Sequence, residues 1–118
     1  MAKKVPIGCY LTQDEVDRLR AYAETLELRV PSVCALLVQH ELQCRQLNCL
    51  QSRYFRKVGK ADGIRVTVWF GDRAIKDAFL EHVRICGLGS DDATGILFRA
   101  EPEEKWLRRA LSWPGIRP

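Results

Sequence analysis

In the stretch IRVTVWF, Ile64 to Phe70, groups able to bind a ligand stand at alternate positions. Arg65 carries a planar fork of donors, Thr67 a hydroxyl, and Trp69 a broad aromatic surface with one N–H. The residues of the other parity, Ile64, Val66, Val68 and Phe70, are apolar. A strand shows one parity to each face, so this segment reads as half buried, with its chemistry on the open side. No nucleophile pairs with a base anywhere in the chain, and catalysis is not expected. His40, Cys44 and Cys49 fall on a helix and its end. Three ligands on an apolar stripe, with no fourth, read as core residues rather than a metal site. GLGS, Gly87 to Ser90, lacks the strand–glycine–helix setting of a nucleotide loop and reads as a turn. Asp91 and Asp92 read as charges that complement a helix dipole rather than metal ligands. No cofactor and no metal are expected.

The chain has 118 residues, enough for a single domain over 1–118. Hydrophobic residues make up 47% and charged residues 29%, as in globular proteins. No apolar run is long enough to span a bilayer, and MAKK followed by VPIGCYL is no signal peptide. Five cysteines with no CxxC pair fit a reducing compartment, so a cytoplasmic protein is expected. Net charge is +4, which permits a polyanion partner without requiring one.

Two segments share a layout at an offset of 59 residues: VPIGCYLTQDEVDRLRAYAETLEL and IRVTVWFGDRAIKDAFLEHVRICG. In each, period two gives way to period 3.6 at the same point. That offset sets Leu11 against Phe70, Val16 against Ile75, Leu19 against Ala78 and Leu26 against Ile85. Thr12 and Glu15 form a capping box for the first helix, and Asp72 is the cap expected in the second. A break and a second helix follow each time. LRVP leads into a helix that starts with Pro31 and is expected to reach about residue 50. GLGSDDA, expected to be one residue longer, leads into a helix capped by Ser90. Pro102 is expected to open a separate C-terminal helix over 101–113, docked through Trp106, Leu107, Leu111 and Trp113. The expected order is a first unit over 5–50, a basic connector over 51–63, a second unit over 64–100 and the extra helix.

One strand and two helices cannot bury a core alone, but two such units can if their strands pair antiparallel. The layout, and RVTVWF before an amphipathic helix above all, resembles the ribbon-helix-helix family of DNA-binding proteins. The fold class implied is mostly α with a two-stranded antiparallel ribbon. It is a pseudo-dimeric ribbon-helix-helix of two β-α-α repeats in one chain, plus a C-terminal helix. Tandem copies are similar to accessory proteins of plasmid conjugation, and most of all to the overdrive-binding VirC family of agrobacterial tumour-inducing plasmids. That resemblance implies double-stranded DNA as partner, a bacterial setting, and work in T-DNA processing beside a ParA-like ATPase and a relaxase. It also implies a monomer.

Carried over position by position, the resemblance puts Arg65, Thr67 and Trp69 of the second strand in the major groove. From the first strand it puts Pro6, Gly8 and Tyr10 there. Arg65 can then bond guanine, Thr67 a base edge or thymine methyl, while Trp69 and Tyr10 pack on sugars or methyls. Alternatively, the two aromatics cover the connector or the last helix. Pro6 and Gly8 have no side-chain donor, so an asymmetric ribbon reading a non-palindromic site is expected. Phosphate contacts are expected at the starts of the second helices, from Arg29 and Ser32 and from Ser90. Lys3, Lys4, Arg53, Arg56, Lys57 and Lys60 are further phosphate candidates or simply a solvated charge run. Two other readings stay open, a repressor of the same fold and an antitoxin or protein-interaction module.

Overall fold

The computed structural model describes residues 5–70 and 72–111. Strand β1 (Val5–Leu11) pairs antiparallel with β2 (Ile64–Phe70), setting Pro6 opposite Trp69, Gly8 opposite Thr67 and Tyr10 opposite Arg65. The alternation read from IRVTVWF holds in its second half: Val68 and Phe70 are buried, with Ile7, Cys9 and Leu11 of β1, whereas Val66 is half buried and Ile64 exposed at the end of the ribbon. Six helices among the described residues complete a mostly helical fold. They are α1 (Gln13–Thr25), α2 (Val30–Cys44), α3 (Leu47–Tyr54), α4 (Arg73–Ile85), α5 (Ser90–Glu104) and α6 (Trp106–Leu111). No helix among the described residues is long and apolar enough to cross a membrane.

Helix α1 starts as its capping box dictates. The Glu15 N–H donates to Thr12 Oγ1 (3.2 Å) and the Thr12 N–H to Glu15 Oε1 (2.9 Å). Asp72 caps α4 by accepting from the Ala74 N–H at 2.8 Å. The helices of the two halves match in length, 13 residues for α1 and α4 and 15 for α2 and α5. They recur at an offset of 60, while the strands recur at 59, because one residue more separates β2 from α4. The helical matches expected at 59 are therefore one residue out. Leu19 corresponds to Phe79, and Ala23 to Val83; all four are buried. The breaks 26–29 and 86–89 are equal in length, so the second is not longer. Each turns through a left-handed residue, Glu27 (φ 58°) in one and Gly87 (φ 76°) in the other. Glycine reaches that region freely, while glutamate is strained there.

Four helix boundaries differ from the sequence expectation. The first differs by one residue, since α2 opens at Val30 with Arg29 at the cap and Pro31 second. The second helix does not run to residue 50, because Arg45 takes a left-handed φ of 51° and α3 begins afresh at Leu47. Ser90 is the first residue of α5, with Gly89 at the cap position. Pro102 opens no helix and lies inside α5, which ends two residues later. There the lost N–H bond falls in the last turn, where little helix remains to break. Lys105 repeats the left-handed stop (φ 57°), so α6 follows α5 as α3 follows α2. Of the residues expected to dock that last helix, Leu107 is buried and Trp106 packs on the core. Trp113 and the Leu111 side chain lie outside the described residues.

Two buried glutamates explain both stops. Glu41 folds back so that Oε1 accepts from the Gln46 N–H (3.0 Å) and Oε2 from the Leu47 N–H (2.9 Å). Glu101 does the same for Trp106 (3.3 Å) and Leu107 (2.9 Å). Each carboxylate thus satisfies the open donors of the next helix, where negative charge also suits the dipole. Each is also held from the opposite half of the chain. His82 of α4 donates from Nε2 to Glu41 Oε2 at 2.6 Å, and Arg45 lies 3.3 Å from its Nδ1. With arginine donating to Nδ1, the ring proton sits on Nε2. Tyr22 of α1 donates its hydroxyl to Glu101 and accepts from the Arg108 N–H at 3.1 Å. The buried side chains of both halves form one cluster, with Phe79, Phe98, Leu19 and Leu37 almost fully enclosed.

Burial raises the Glu101 carboxyl above its ordinary pKa of 4.5, outweighing the hydrogen bonds that lower it. The folded chain therefore holds this proton more tightly than the unfolded chain. The contribution of Glu101 to stability is full below the ordinary carboxylate range and is lost as pH rises through its raised folded value. Urea titrations of wild type and Glu101→Gln across that window check the sign. The stability of the wild type minus that of the variant is expected to fall as pH rises, and a difference that climbs would contradict the assignment.

Candidate nucleic-acid interface

The outer face of the ribbon carries Pro6, Gly8 and Tyr10 from β1 and Arg65, Thr67 and Trp69 from β2, in register. Trp69 is 55% exposed and stands opposite Pro6. Thr67 and Tyr10 are half buried and Arg65 is exposed. The Arg65 guanidinium lies over the Tyr10 ring, 5.3 Å from its centroid. That is the arrangement in which an aromatic face attracts a cation. Tyr10 is backed in turn by the connector, because a Cβ added at Gly63 would meet Tyr10 Cβ at 2.7 Å and Val58 Cγ1 at 2.8 Å.

Gly8 makes this arrangement possible. A Cβ there would stand 2.6 Å from the Val66 carbonyl oxygen and 3.0 Å from Arg65 Cζ and Nε. The arginine therefore lies across the ribbon through the space the missing side chain leaves. Three flat groups, the guanidinium, the phenol ring and the exposed indole, stand on one face of two edge strands. Such a face suits recognition of a flat, hydrogen-bonding surface. Burial holds the Cys9 thiol beneath it at about 11, so that sulfur is an inert core residue.

The expected phosphate contacts are spread out. At α2, Arg29 is the cap residue without a side-chain cap bond, and Arg29 and Ser32 are exposed beside N–H groups that no side chain caps. At α5 the first turn also lacks a side-chain cap and holds Ser90, Asp91 and Asp92. Lys57 Nζ stands 3.1 Å from Asp92 Oδ2, and so offsets one of the two charges that would repel a phosphate. Arg53 pairs with Glu104 at 3.3 Å, at the opposite end of α5. Twelve residues of helix separate these anchors, about 18 Å. The connector runs along α5, and its cations do not form one patch. Arg56 bonds the Phe55 carbonyl oxygen (2.7 Å) and Lys60 is exposed. Lys3 and Lys4 lie outside the described residues.

The histidine and cysteines set aside as core residues sit elsewhere. Cys44 and Cys49 are exposed, and His40 is half buried, stacked on Trp106 with 5.5 Å between ring centroids. Cys44 Sγ lies 3.4 Å from His40 Nε2. Burial, the larger effect, holds the His40 pKa below the usual imidazole value. Among the described residues no three His, Cys, Asp or Glu side chains are grouped to hold a metal.

Sequence reasoning missed the Glu41–His82 and Glu101–Tyr22 pairs and the role of Gly8. The two pairs had a signal, since both glutamates and both rings stand 60 residues apart. No family model, no curated protein and no solved structure matches this chain.

Proposed function

We propose that this protein binds double-stranded DNA at a specific site, with the outer face of its ribbon in the major groove. In this reading the chain is a pseudo-dimeric ribbon-helix-helix, its two β-α-α halves fused by the connector. The observation that carries it is the open ribbon face bearing Arg65, Thr67 and Trp69 in register. Helix lengths that recur at an offset of 60 and the matching glutamate stops support the two-halves reading. Arg65 reads guanine, Thr67 a base edge, and Trp69 packs on a thymine methyl or a sugar. Arg29, Ser32, Ser90 and Lys57 approach the flanking phosphates. The protein works by binding and shaping DNA in the bacterial cytoplasm and has no catalytic role. The resemblance to overdrive-binding proteins places that work in plasmid or T-DNA processing, with a ParA-like ATPase and a relaxase as partners. Unequal strands favour a non-palindromic site over the symmetric operator of a repressor.

The test is duplex binding across a salt series, on the site preferred from a random pool, for wild type and Arg65→Ala. Affinity is expected to fall linearly on logarithmic axes as salt rises. Arg65→Ala is expected to lose roughly tenfold to hundredfold on the preferred site, matching about 1–3 kcal/mol for a bidentate base contact, and little on other duplexes. Absence of duplex binding by the wild type at low salt would refute the proposal. An equal loss on all duplexes would make Arg65 a phosphate contact, and a palindromic preferred site would refute the asymmetric reading.

A further inference from the structure

Away from the ribbon, two adjoining depressions open along α1 and the C-terminal half of α5. One, of about 160 Å³, lies between α1, α3 and α5, with Phe98 and Tyr54 in its lining. The other, of about 350 Å³, continues past Tyr22 and Thr25 toward α6. They share Arg18, Pro102 and Glu103, and so form one groove. Helix α5 meets β1 at Thr94, whose hydroxyl lies 3.3 Å from the Gly8 carbonyl oxygen. Pro102 stands about 12 Å further along the helix axis.

The groove has a buried, hydrogen-bonded base and a positive rim. Arg99, with a side chain only 7% exposed, donates to Glu15 Oε2 at 2.7 Å and to the Tyr54 carbonyl oxygen at 3.2 Å. Of the groove's carboxylates, Glu15 is engaged by Arg99, while Glu103 only shares the single Tyr54 hydroxyl proton (2.8 Å) with Glu104 (2.6 Å) and stays exposed. On the rim, Arg18 holds only a solvent-exposed ion pair with Asp14, while Arg53 pairs with the half-buried Glu104 and lies over the Tyr54 ring. An exposed pair such as the first is worth little and exchanges readily. Arg56, Lys105 and Arg108 make no ion pair among the described residues. Positive charge is therefore in excess beside an apolar trough.

The corresponding part of the chain is built without this arrangement. At the matching positions of the other half, 60 residues away, Arg99 becomes Gln39, Glu15 becomes Ile75 and Arg18 becomes Ala78. Pro102 becomes Leu42 and Glu103 becomes Gln43. The charged groove belongs to one half only.

We propose that this groove is a docking site for an extended acidic segment of a partner protein. Carboxylates of the segment pair with Arg18, Arg53 and Arg56, whose planar forks match carboxylate geometry. An apolar side chain of the segment seats against Tyr22 and Pro102. A duplex is too broad to enter a trough of this size, so the site is separate from the ribbon face and its occupancy does not depend on DNA.

The experiment measures fluorescence anisotropy of a short labelled peptide alternating glutamate and leucine, with a lysine–leucine peptide and a labelled duplex as comparisons. Saturable binding of the acidic peptide alone is expected, weakened at least about tenfold by Arg18→Glu with Arg56→Glu, as loss of two charge-assisted bonds implies. The assays run at an ionic strength of about 0.15 M, where charges beyond about 8 Å are screened. Duplex affinity on the preferred site is then expected to stay within a factor of about three, since both residues line the groove and not the ribbon face. Arg56→Glu alone is run beside it, because Arg56 has no ion pair whose loss could unfold the chain. Three results would overturn the proposal. They are no saturable binding of the acidic peptide, equal binding of the lysine–leucine peptide, or reversals that weaken the duplex and spare the peptide. The last would assign these arginines to the DNA backbone.

Discussion

Glu41→Ala is expected to lose about 3 kcal/mol or more of folding stability, because one buried carboxylate serves three donors and each donor left unpaired carries its own cost. Glu41 is 1% exposed and accepts three hydrogen bonds, from the N–H groups of Gln46 and Leu47 and from His82. Alanine removes all three acceptors at once, and each stranded donor costs about 1–3 kcal/mol when water cannot replace the partner. It also leaves the start of α3 without its cap. A surface control makes the contrast. Asp14→Ala breaks only an exposed pair with Arg18, and measurable loss there should stay within about 1 kcal/mol. Urea midpoints give both values. Because Glu41 and His82 act as one unit, the double replacement should cost less than the two single losses together. A Glu41→Ala loss no larger than that of Asp14→Ala would show that the pair is a bystander.

Gly8→Val is expected to damage both the ribbon and its reading of DNA. A Cβ at this position lies 2.6 Å from the Val66 carbonyl oxygen, so the two strands must part or shift. Forcing extra carbon into a tight contact costs about 1–3 kcal/mol. The same Cβ occupies the path of Arg65, which would have to lift off the Tyr10 ring. Under the proposed function, Gly8→Val should then lose site discrimination as Arg65→Ala does, although glycine itself offers no contact. Thermal melts separate the two effects, because duplex binding is read well below the unfolding transition. If Gly8→Val keeps full discrimination while losing stability, Arg65 does not need its flat resting place to read.

The strands and the starts of α1 and α4 were legible because their causes are local. Alternation in IRVTVWF sets the two faces of β2, and Thr12 with Glu15 and Asp72 each mark a start within a few residues. The boundaries that went wrong have distant causes. Nothing near Arg45 announces a helix end, since the apolar stripe continues through Leu47; the stop depends on Glu41 folding back under His82, from far along the chain. Pro102 looked like a beginning because proline favours first turns, yet the end of α5 is fixed by Glu101 and Tyr22. The 59-residue match suited the strands and misaligned the helices, because one added residue rotates a helix face by about 100°. At the candidate site, the parity of Arg65, Thr67 and Trp69 was readable. The packing of Arg65 over Tyr10 was not, nor was the separation of Arg53 from Lys57 along α5. Both depend on which surfaces the fold brings together.

Both buried pairs cross between halves: α4 closes on α2, and α1 closes on α5. One chain supplies both sides of each closure and both strands of the ribbon. A ribbon assembled from two separate chains dissolves on dilution, since its halves find each other by mass action. Here the partner strand is tethered, at an effective concentration on the order of millimolar. For the monomer of the proposed function, the ribbon face therefore persists however few molecules a cell contains, and its melting temperature is expected to be independent of protein concentration.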